Sequence, residues 1–157
     1  MRLSTKGRYA VMAMADLAAH TGCEASARAV SLAEIATRQQ ISLAYLEQLF
    51  ARLRRAGLVR SARGPGGGYR LAKAADETRI SEIVLAADEP IRATRCTGED
   101  KAAGCMASGE QCLTHGLWEA LGAQIERYLE GVSLDDVIQR RFDGPAARTA
   151  ASPQAAA

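Results

Sequence analysis

Apolar side chains recur at helical spacing along much of the chain, and residues with capping chemistry separate the apolar segments. The first helix is predicted over about residues 8–20, and the small, polar residues 21–29 after it predict a loop. Ser31 and Glu34 have the spacing of a capping box, in which each side chain binds a backbone N–H of the other residue. A second, short helix is therefore expected to begin there and to end near Arg38.

The third predicted helix carries the strongest amphipathic pattern in the chain. Ser42 is its N-cap candidate and Gly57 its expected end. Its apolar residues fall at i, i+3, i+4 and i+7, and they are Leu46, Leu49, Phe50 and Leu53. After Gly57 the pattern predicts a strand over residues 58–62, a Gly-rich turn over 63–68 and a returning strand over 69–71. This segment is therefore predicted to be a β-hairpin.

The C-terminal half is predicted to be helical around one long loop. A short helix is expected over residues 80–87, and the loop over 92–112 holds three of the four cysteines. A longer helix is expected over residues 113–130. It carries an apolar residue at every fourth position, and these residues are Leu113, Leu117, Leu121, Ile125 and Leu129. A last short helix is expected over residues 133–141, followed by a disordered tail over 142–157.

The order of these elements predicts a mainly α fold with a small β-hairpin wing. A short helix, a tight turn, an amphipathic helix and a hairpin are typical of a winged helix-turn-helix, so residues 1–75 are predicted to be a DNA-binding domain. Residues 76–141 are predicted to hold the cysteine-bearing loop and the dimerisation helices. The apolar stripe of the long helix exceeds what a small domain needs to bury, which favours packing against a second copy. The alternative is that the stripe folds back onto its own chain.

Composition excludes several other classes of protein. Aromatic residues make up only 4% of the chain, which disfavours an all-β sandwich. No apolar run approaches the roughly 20 residues that span a bilayer, and the first residues lack the apolar segment of a signal peptide. We therefore expect a cytoplasmic protein that binds no membrane. Thiols stay reduced in that compartment, so the four cysteines are not expected to form a disulfide framework.

Charge is distributed unevenly along the chain. Residues 1–73 carry 12 basic and 4 acidic side chains, whereas residues 74–157 carry 8 and 14. Residues 52–73 alone hold seven basic side chains and no acid. Such clustering indicates a polyanionic partner, most simply nucleic acid. The alternative is an ordinary solvated basic surface.

The third helix and the hairpin supply the candidate DNA-binding residues. A helix fits the major groove with its N-terminal residues toward the base edges, which here are Ser42, Ala44, Tyr45, Glu47 and Gln48. The residues expected to face the phosphates are Arg52, Arg54 and Arg55. Arg63 in the hairpin turn is expected to enter a narrow minor groove, where the negative potential is strongest. The alternatives are a packed surface aromatic for Tyr45 and a solvated helix residue for Glu47.

Three cysteines and a histidine form the second constellation. They are Cys96, Cys105, Cys112 and His115, spaced C-x8-C-x6-C-x2-H. Cys112 and His115 are expected at the start of the long helix, where they share a face and where the helix N-terminus favours a thiolate. Such a set of donors fits either a zinc ion or an iron–sulfur cluster, and spacing disfavours zinc only slightly. Cys23 is isolated and His20 is expected to lie at a helix end, so both are interpreted as structural.

Several motifs resemble the IscR-type iron–sulfur cluster regulators of bacteria, over the chain as far as about residue 141. The motifs are Arg2-Leu3, Lys6-Gly7-Arg8-Tyr9-Ala10, Ile41-Ser42-Leu43, Tyr45-Leu46-Glu47-Gln48-Leu49-Phe50 and Arg63-Gly64-Pro65-Gly66-Gly67-Gly68-Tyr69. The resemblance favours a 2Fe-2S cluster on Cys96, Cys105, Cys112 and His115 over zinc. It also adds Arg2 and Lys6 to the DNA-binding candidates.

The resemblance implies a homodimeric transcription regulator that binds double-stranded promoter DNA at partly palindromic sites. It further implies control of cluster-assembly genes, as repressor or activator, with cluster occupancy altering the choice of site and with cluster-assembly proteins as cluster donors. This chain has Ala44 where the resemblance leads us to expect serine, and a longer gap between Cys96 and Cys105.

Two other functions remain open on the sequence. One is a zinc-dependent DNA-binding regulator, which would use the same donors. The other is an iron–sulfur electron-transfer or carrier protein, which would need the cluster but not the basic winged helix. Neither a Ser-His-Asp set nor a pair of carboxylates stands in a convincing arrangement, so we do not expect an enzyme.

Overall fold

The computed structural model describes residues 5–21, 28–64, 66–87, 105–106 and 108–142. Within these ranges the chain forms six helices and one two-stranded sheet. In chain order they are α1 (Thr5–Thr21), α2 (Leu32–Gln39), α3 (Leu43–Arg55), β1 (Val59–Ala62), β2 (Gly68–Leu71), α4 (Ile80–Ala86), α5 (His115–Gly131) and α6 (Leu134–Ile138). The predicted fold class, mainly α with a β-hairpin, is confirmed. Apart from Phe142, the tail predicted to be disordered lies outside the described residues.

Local capping chemistry sets the ends of the helices around the turn between α2 and α3. The Glu34 backbone N–H donates to Ser31 Oγ at 3.2 Å, and the Ser31 N–H donates to Glu34 Oε2 at 2.8 Å, which completes the predicted capping box. Ser42 caps α3 by accepting from the Tyr45 N–H at 3.3 Å. At the other end of α3, Gly57 adopts a left-handed φ of 73°, as its predicted position after a helix requires. These contacts join residues close in sequence, which is why the sequence predicts them.

One hydrophobic core runs through the described chain, and α1 lies at its centre. The fully buried residues of α1 are Ala10, Ala13, Met14 and Leu17. Helices α4 and α6 pack against α1, and so do α2 and β2. Buried residues from both sides of the predicted domain boundary join the same cluster, among them Ile35, Leu46, Phe50, Ile83, Val84 and Leu134. The boundary predicted between residues 75 and 76 is therefore not a break in the packing.

The wing, formed by β1, β2 and the turn between them, is fastened to the helices on two sides. Strand β2 pairs antiparallel with β1, and on its other edge Tyr69 exchanges backbone hydrogen bonds with Val30 at 2.8 and 3.0 Å. The Tyr69 ring packs edge-on against Phe50 of α3, with centroids 4.9 Å apart. A Cβ on Gly68 would lie 2.3 Å from the Val30 carbonyl oxygen, so only glycine permits this approach. The wing thus has a set position relative to α3.

A partly buried ion pair joins α1 to α2, with the carboxylate inside and the Arg38 side chain 30% exposed. The Asp16 side chain is 1% exposed and accepts hydrogen bonds from Arg38 Nη2 at 2.7 Å and Gln39 Nε2 at 2.8 Å. Burial alone would raise the pKa of Asp16, but the hydrogen bonds from Arg38 and Gln39 and the Arg38 charge outweigh it and hold that pKa below its usual value. The sequence does not predict this pair, because its partners lie 22 and 23 residues apart.

Backbone hydrogen bonds hold the C-terminal end of α5 against the start of α4. The Ile80 N–H donates to the Val132 carbonyl at 3.0 Å, and the Leu134 N–H donates to the Thr78 carbonyl at 2.8 Å. Ser133 and Asp136 form a capping box at the start of α6, as the N-cap position of Ser133 leads us to expect. These hydrogen bonds fix the C-terminal end of α5. No helix among the described residues is long and apolar enough to cross a membrane.

Candidate nucleic-acid interface and metal centre

Helix α3 turns one face to the core and the opposite face outward. The predicted core residues Leu46, Leu49, Phe50 and Leu53 are all buried. Of the predicted base-reading residues, those with exposed side chains are Ser42, Ala44, Glu47 and Gln48. This face therefore lies open over the first two turns of α3, the part of a recognition helix that reaches base edges.

Leu43 shares this open face and was missed by the sequence reasoning. Its side chain is 43% exposed, although leucine is normally buried. The sequence offered no signal for this exposure, because Leu43 precedes Leu46 by three residues and Phe50 by seven and so continues the apolar spacing of the core residues.

Tyr45 lies at the edge of this face rather than on it. Its ring is half-buried and packs edge-on against Tyr9 of α1, with centroids 5.8 Å apart and an interplanar angle of 87°. This matches the packed-aromatic alternative. Tyr45 therefore sets the position of α3 against α1.

Arg52 has an internal contact that the sequence reasoning did not foresee. Its Nη1 donates to the Ala87 carbonyl at 3.0 Å, at the C-terminal end of α4, and the side chain is half-buried. The last carbonyls of a helix have no partner within the helix, so a guanidinium there satisfies one of them. The expectation that Arg52 faces the phosphates is therefore corrected, because its guanidinium points into the fold. Arg54 and Arg55 are exposed.

The wing presents further basic side chains beside α3. Arg63 is exposed in the turn, and Arg60 is exposed on β1. The turn is closed by a hydrogen bond from the Gly67 N–H to the Gly64 carbonyl at 2.8 Å. Lys6 is exposed at the start of α1, whereas Arg2 lies outside the described residues.

Other basic side chains of the N-terminal half are paired with acids in the fold. The pairs are Arg28 with Glu34 at 2.9 Å, Arg38 with Asp16 at 2.7 Å and Lys73 with Glu82 at 2.9 Å. The fold therefore leaves fewer basic side chains to bind a polyanion than the sequence indicates. Those that remain lie mainly around the end of α3 and in the wing.

Two of the predicted metal ligands meet at the start of α5. Cys105 Sγ lies 3.7 Å from His115 Nδ1, and the Cys112 backbone N–H donates to Cys105 Sγ at 2.9 Å. His115 is the first residue of α5, two residues later than the predicted start, and Cys112 lies just before the helix. Cys96, the fourth predicted ligand, lies outside the described residues. Within the described ranges no three side chains of metal-ligating type converge on one point.

A short chain of polar contacts continues from Cys112 along α5. The Trp118 indole N–H donates to Thr114 Oγ1 at 3.2 Å, and Thr114 Oγ1 lies 3.5 Å from Cys112 Sγ. Neither Thr114 nor Trp118 was among the predicted site residues. The available signal was that Trp118 follows His115 by three residues and Thr114 by four.

The apolar stripe of the long helix remains largely uncovered. Leu113 is fully exposed, Leu117 is 61% exposed, and only Leu129, near the end of α5, packs against the core. Gly122 is the only buried residue of α5. Leu121 and Ile125 are half-buried, so among the described residues the N-terminal part of the stripe is the part left exposed.

Comparison with known proteins adds a family to this geometry. The sequence model of the Rrf2 family, described as "Iron-dependent Transcriptional regulator", matches residues 3–140. A putative HTH-type transcriptional regulator, ORF2, of Azotobacter vinelandii is 54% identical over 140 residues, which is 89% of this chain and 80% of that protein. The HTH-type transcriptional regulator IscR of Photorhabdus laumondii is 50% identical over 141 residues, covering 90% and 81%.

Solved structures share the fold at similar coverage. The structure of T. potens IscR is 35% identical, with a TM-score of 0.68 over 99% of this chain and 94% of that one. The global cysteine regulator CymR of B. subtilis is 32% identical, with a TM-score of 0.71 over 89% and 98%.

Proposed function

Because the chain belongs to the Rrf2 family of iron-dependent transcriptional regulators, we propose that it is a dimeric DNA-binding protein whose choice of promoter sites depends on a bound 2Fe-2S cluster. It is a transcription regulator and not an enzyme. The observation that carries the cluster proposal is the approach of Cys105 Sγ to His115 Nδ1, at 3.7 Å, at the first residue of the long exposed helix. Regulators named IscR are among the relatives that support it.

The open face of α3 is the proposed base-reading surface, and it enters the major groove. Glu47 accepts hydrogen bonds only, so it pairs with a cytosine N4 donor and is repelled by guanine O6 and N7. Gln48 fits the donor and acceptor of adenine. The exposed Arg63 enters the adjacent minor groove.

Phosphate contacts surround this surface and supply most of its affinity. Arg54, Arg55 and Arg60 are the exposed arginines nearest in sequence to the reading face and the wing turn. Lys6 and Arg2, at the N-terminus, are proposed to contact phosphates as well. Such contacts position the protein, while α3 and the wing specify the site.

The proposed ligands of the cluster are Cys96, Cys105, Cys112 and His115. These donors suit a 2Fe-2S group, because thiolates with a histidine are a known ligand set for it. The N–H of Cys112 already donates to Cys105 Sγ at 2.9 Å, which holds that sulfur beside His115. When bound, a cluster supplies an iron centre whose charge and retention respond to redox state and ligand protonation.

The exposed stripe of α5 is the proposed dimer interface. Pairing α5 with its copy buries Leu113 and Leu117 and places two wings on a two-fold site. His115 begins the same helix, so holding the cluster ligands in place also orders the start of the dimer helix. In this proposal the protein works in the cytoplasm and receives its cluster from cluster-assembly proteins, whose genes it controls.

One experiment tests this function on the full chain, purified without oxygen. Iron, sulfide, zinc and visible absorption are measured, and binding to genomic fragments is compared with and without cluster. We expect equal iron and sulfide, a visible chromophore, and a different ranking of fragments in the two forms. Cys105→Ala and Cys112→Ala should lose the chromophore and bind as the cluster-free form does, while His115→Ala should weaken or shift the spectrum.

Cys23→Ala is the matched control, because Cys23 is the one cysteine outside the proposed ligand set and should leave the cluster intact. Bound zinc without sulfide would support a zinc regulator instead. Stoichiometric iron in every cysteine variant would contradict the ligand assignment. An unchanged ranking of fragments would contradict cluster control.

A further inference from the structure

Leu43 is an exposed apolar residue that the proposed contacts leave unexplained. It is the first residue of α3, and its side chain is 43% exposed. Among the described residues, the other exposed large apolar side chains all lie from α4 onward, and they are Leu85, Met106, Leu113, Leu117, Tyr128 and Phe142. Leu43 is thus set apart in the chain from the dimer stripe, and dimerisation does not account for it.

The position of Leu43 on α3 relates it to the reading residues. Leu43 and Glu47 are four residues apart and share one helix face, and the exposed Ala44 lies beside Leu43. Side chains on a helix tilt toward its N-terminus, so Leu43 and Ala44 project beyond the first turn of α3. An apolar pair therefore precedes the polar pair Glu47 and Gln48 along the open face.

The C5-methyl of thymine is the only alkyl group on the base edges of the major groove. Most of the other groups that a side chain meets there donate or accept a hydrogen bond. A leucine pressed against those groups removes their water without replacing it, which is unfavourable. The same leucine against a methyl group removes apolar surface from water, which is favourable.

We propose that Leu43, with the methyl group of Ala44, packs against the C5-methyl of a thymine and makes that thymine a required base of each half-site. The inference rests on the proposed DNA binding through α3. With Glu47 selecting cytosine and Gln48 selecting adenine, it gives α3 a third, apolar element of base recognition. Ala44 suits this role because a serine there would place a hydroxyl beside the methyl.

The test removes the methyl group alone. In a bound promoter fragment, each thymine is replaced in turn by deoxyuridine, at both symmetry-related positions, and affinity is measured for the wild-type protein. Burying one methyl-sized group contributes about 0.8 kcal/mol, which is roughly fourfold in affinity. We expect one symmetric pair of thymines whose replacement weakens binding about fourfold per half-site.

Variants then identify the residue that reads the methyl. Leu43→Ala should bind the thymine fragment more weakly and lose most of the difference between thymine and deoxyuridine. Glu47→Ala alters a neighbouring reading residue and is the matched control, because the difference should persist in it. The comparison is a double-mutant cycle between side chain and methyl group.

The outcomes separate this inference from the function on which it rests. Specific binding with no methyl-sensitive thymine overturns the role of Leu43 and leaves the regulator intact. A thymine preference that survives Leu43→Ala assigns the methyl to another residue and also overturns it. Absence of specific DNA binding by the wild-type protein overturns the proposed function itself.

Discussion

The Asp16 carboxylate lies between α1 and α2 with its side chain 1% exposed, held by Arg38 and Gln39. A buried carboxylate is tolerated only where donors replace its lost water, and here two side chains of α2 do so. The lowered pKa of Asp16 means that its charged form stabilises the folded state at pH values above the usual carboxylate range. That contribution is lost as the pH falls through the folded-state pKa.

Asp16→Asn should therefore lower the free energy of unfolding by about 2 kcal/mol at pH 7, because it leaves the Arg38 guanidinium without its carboxylate. The difference from wild type should shrink as the pH falls below the usual carboxylate range and then through the lower folded-state pKa of Asp16. Urea unfolding at several pH values measures this. Lys73→Ala is the control, since it breaks a pair whose side chains are both 40% exposed and should cost less than about 1 kcal/mol. A pH-independent difference would contradict the role of the Asp16 charge.

At the scale of elements, the wing depends on close backbone contact with Val30. Gly68 lies where strand β2 passes the Val30 carbonyl, and the neighbouring Tyr69 both donates to and accepts from Val30. The wing is therefore not a free hairpin. Its position relative to α3 is set by the segment just before α2.

Gly68→Ala should displace this contact, because its Cβ would lie 2.3 Å from a backbone oxygen that cannot rotate away. We expect a loss of more than about 2 kcal/mol in stability and faster exchange of the Val30 amide hydrogen. Gly66→Ala is the matched control. Its Cβ meets nothing within 4 Å and incurs only the strain of a left-handed φ of 75°, about 1 kcal/mol. Equal losses in the two variants would contradict the close-approach argument.

At the scale of the whole molecule, α5 joins the two proposed functional regions. Its first residue is a proposed cluster ligand, its stripe is the proposed interface, and its last turns reach the core through Leu129. In the proposed dimer, a rearrangement of the cysteine-bearing loop therefore acts on the helix that would set the distance between the two base-reading surfaces. This arrangement gives a physical route from cluster occupancy to the choice of DNA site.

Leu117→Lys should convert the protein to a folded monomer, because it places a charge in the interface at a residue that is 61% exposed within one chain. Sedimentation should show the change in mass, and affinity for a palindromic site should fall as the second half-site no longer contributes. Glu119→Lys is the control, since residues two apart face different sides of a helix and this variant should remain dimeric. A dimeric Leu117→Lys protein would place the interface elsewhere.

The sequence by itself determined the helices, the hairpin and the family of this protein. Capping boxes, apolar periodicity and the turn glycines act over a few residues, so the ends of α2 and α3 and the left-handed Gly57 could be predicted from local chemistry alone. The resemblance to IscR-type regulators, based on the motifs, is confirmed by relatives about half identical over most of the chain.

Only the tertiary structure decided which polar and apolar side chains make contacts inside the fold and which stay exposed. Arg52 binds a carbonyl 35 residues away, Tyr45 packs on Tyr9, and the core crosses the predicted boundary after residue 75. Leu43 is left exposed although the later leucines of α3, Leu46, Leu49 and Leu53, are buried. The physical reason is the same in each case. Contacts between distant segments depend on how the helices pack. A local sequence pattern does not determine which side chains from distant segments come into contact.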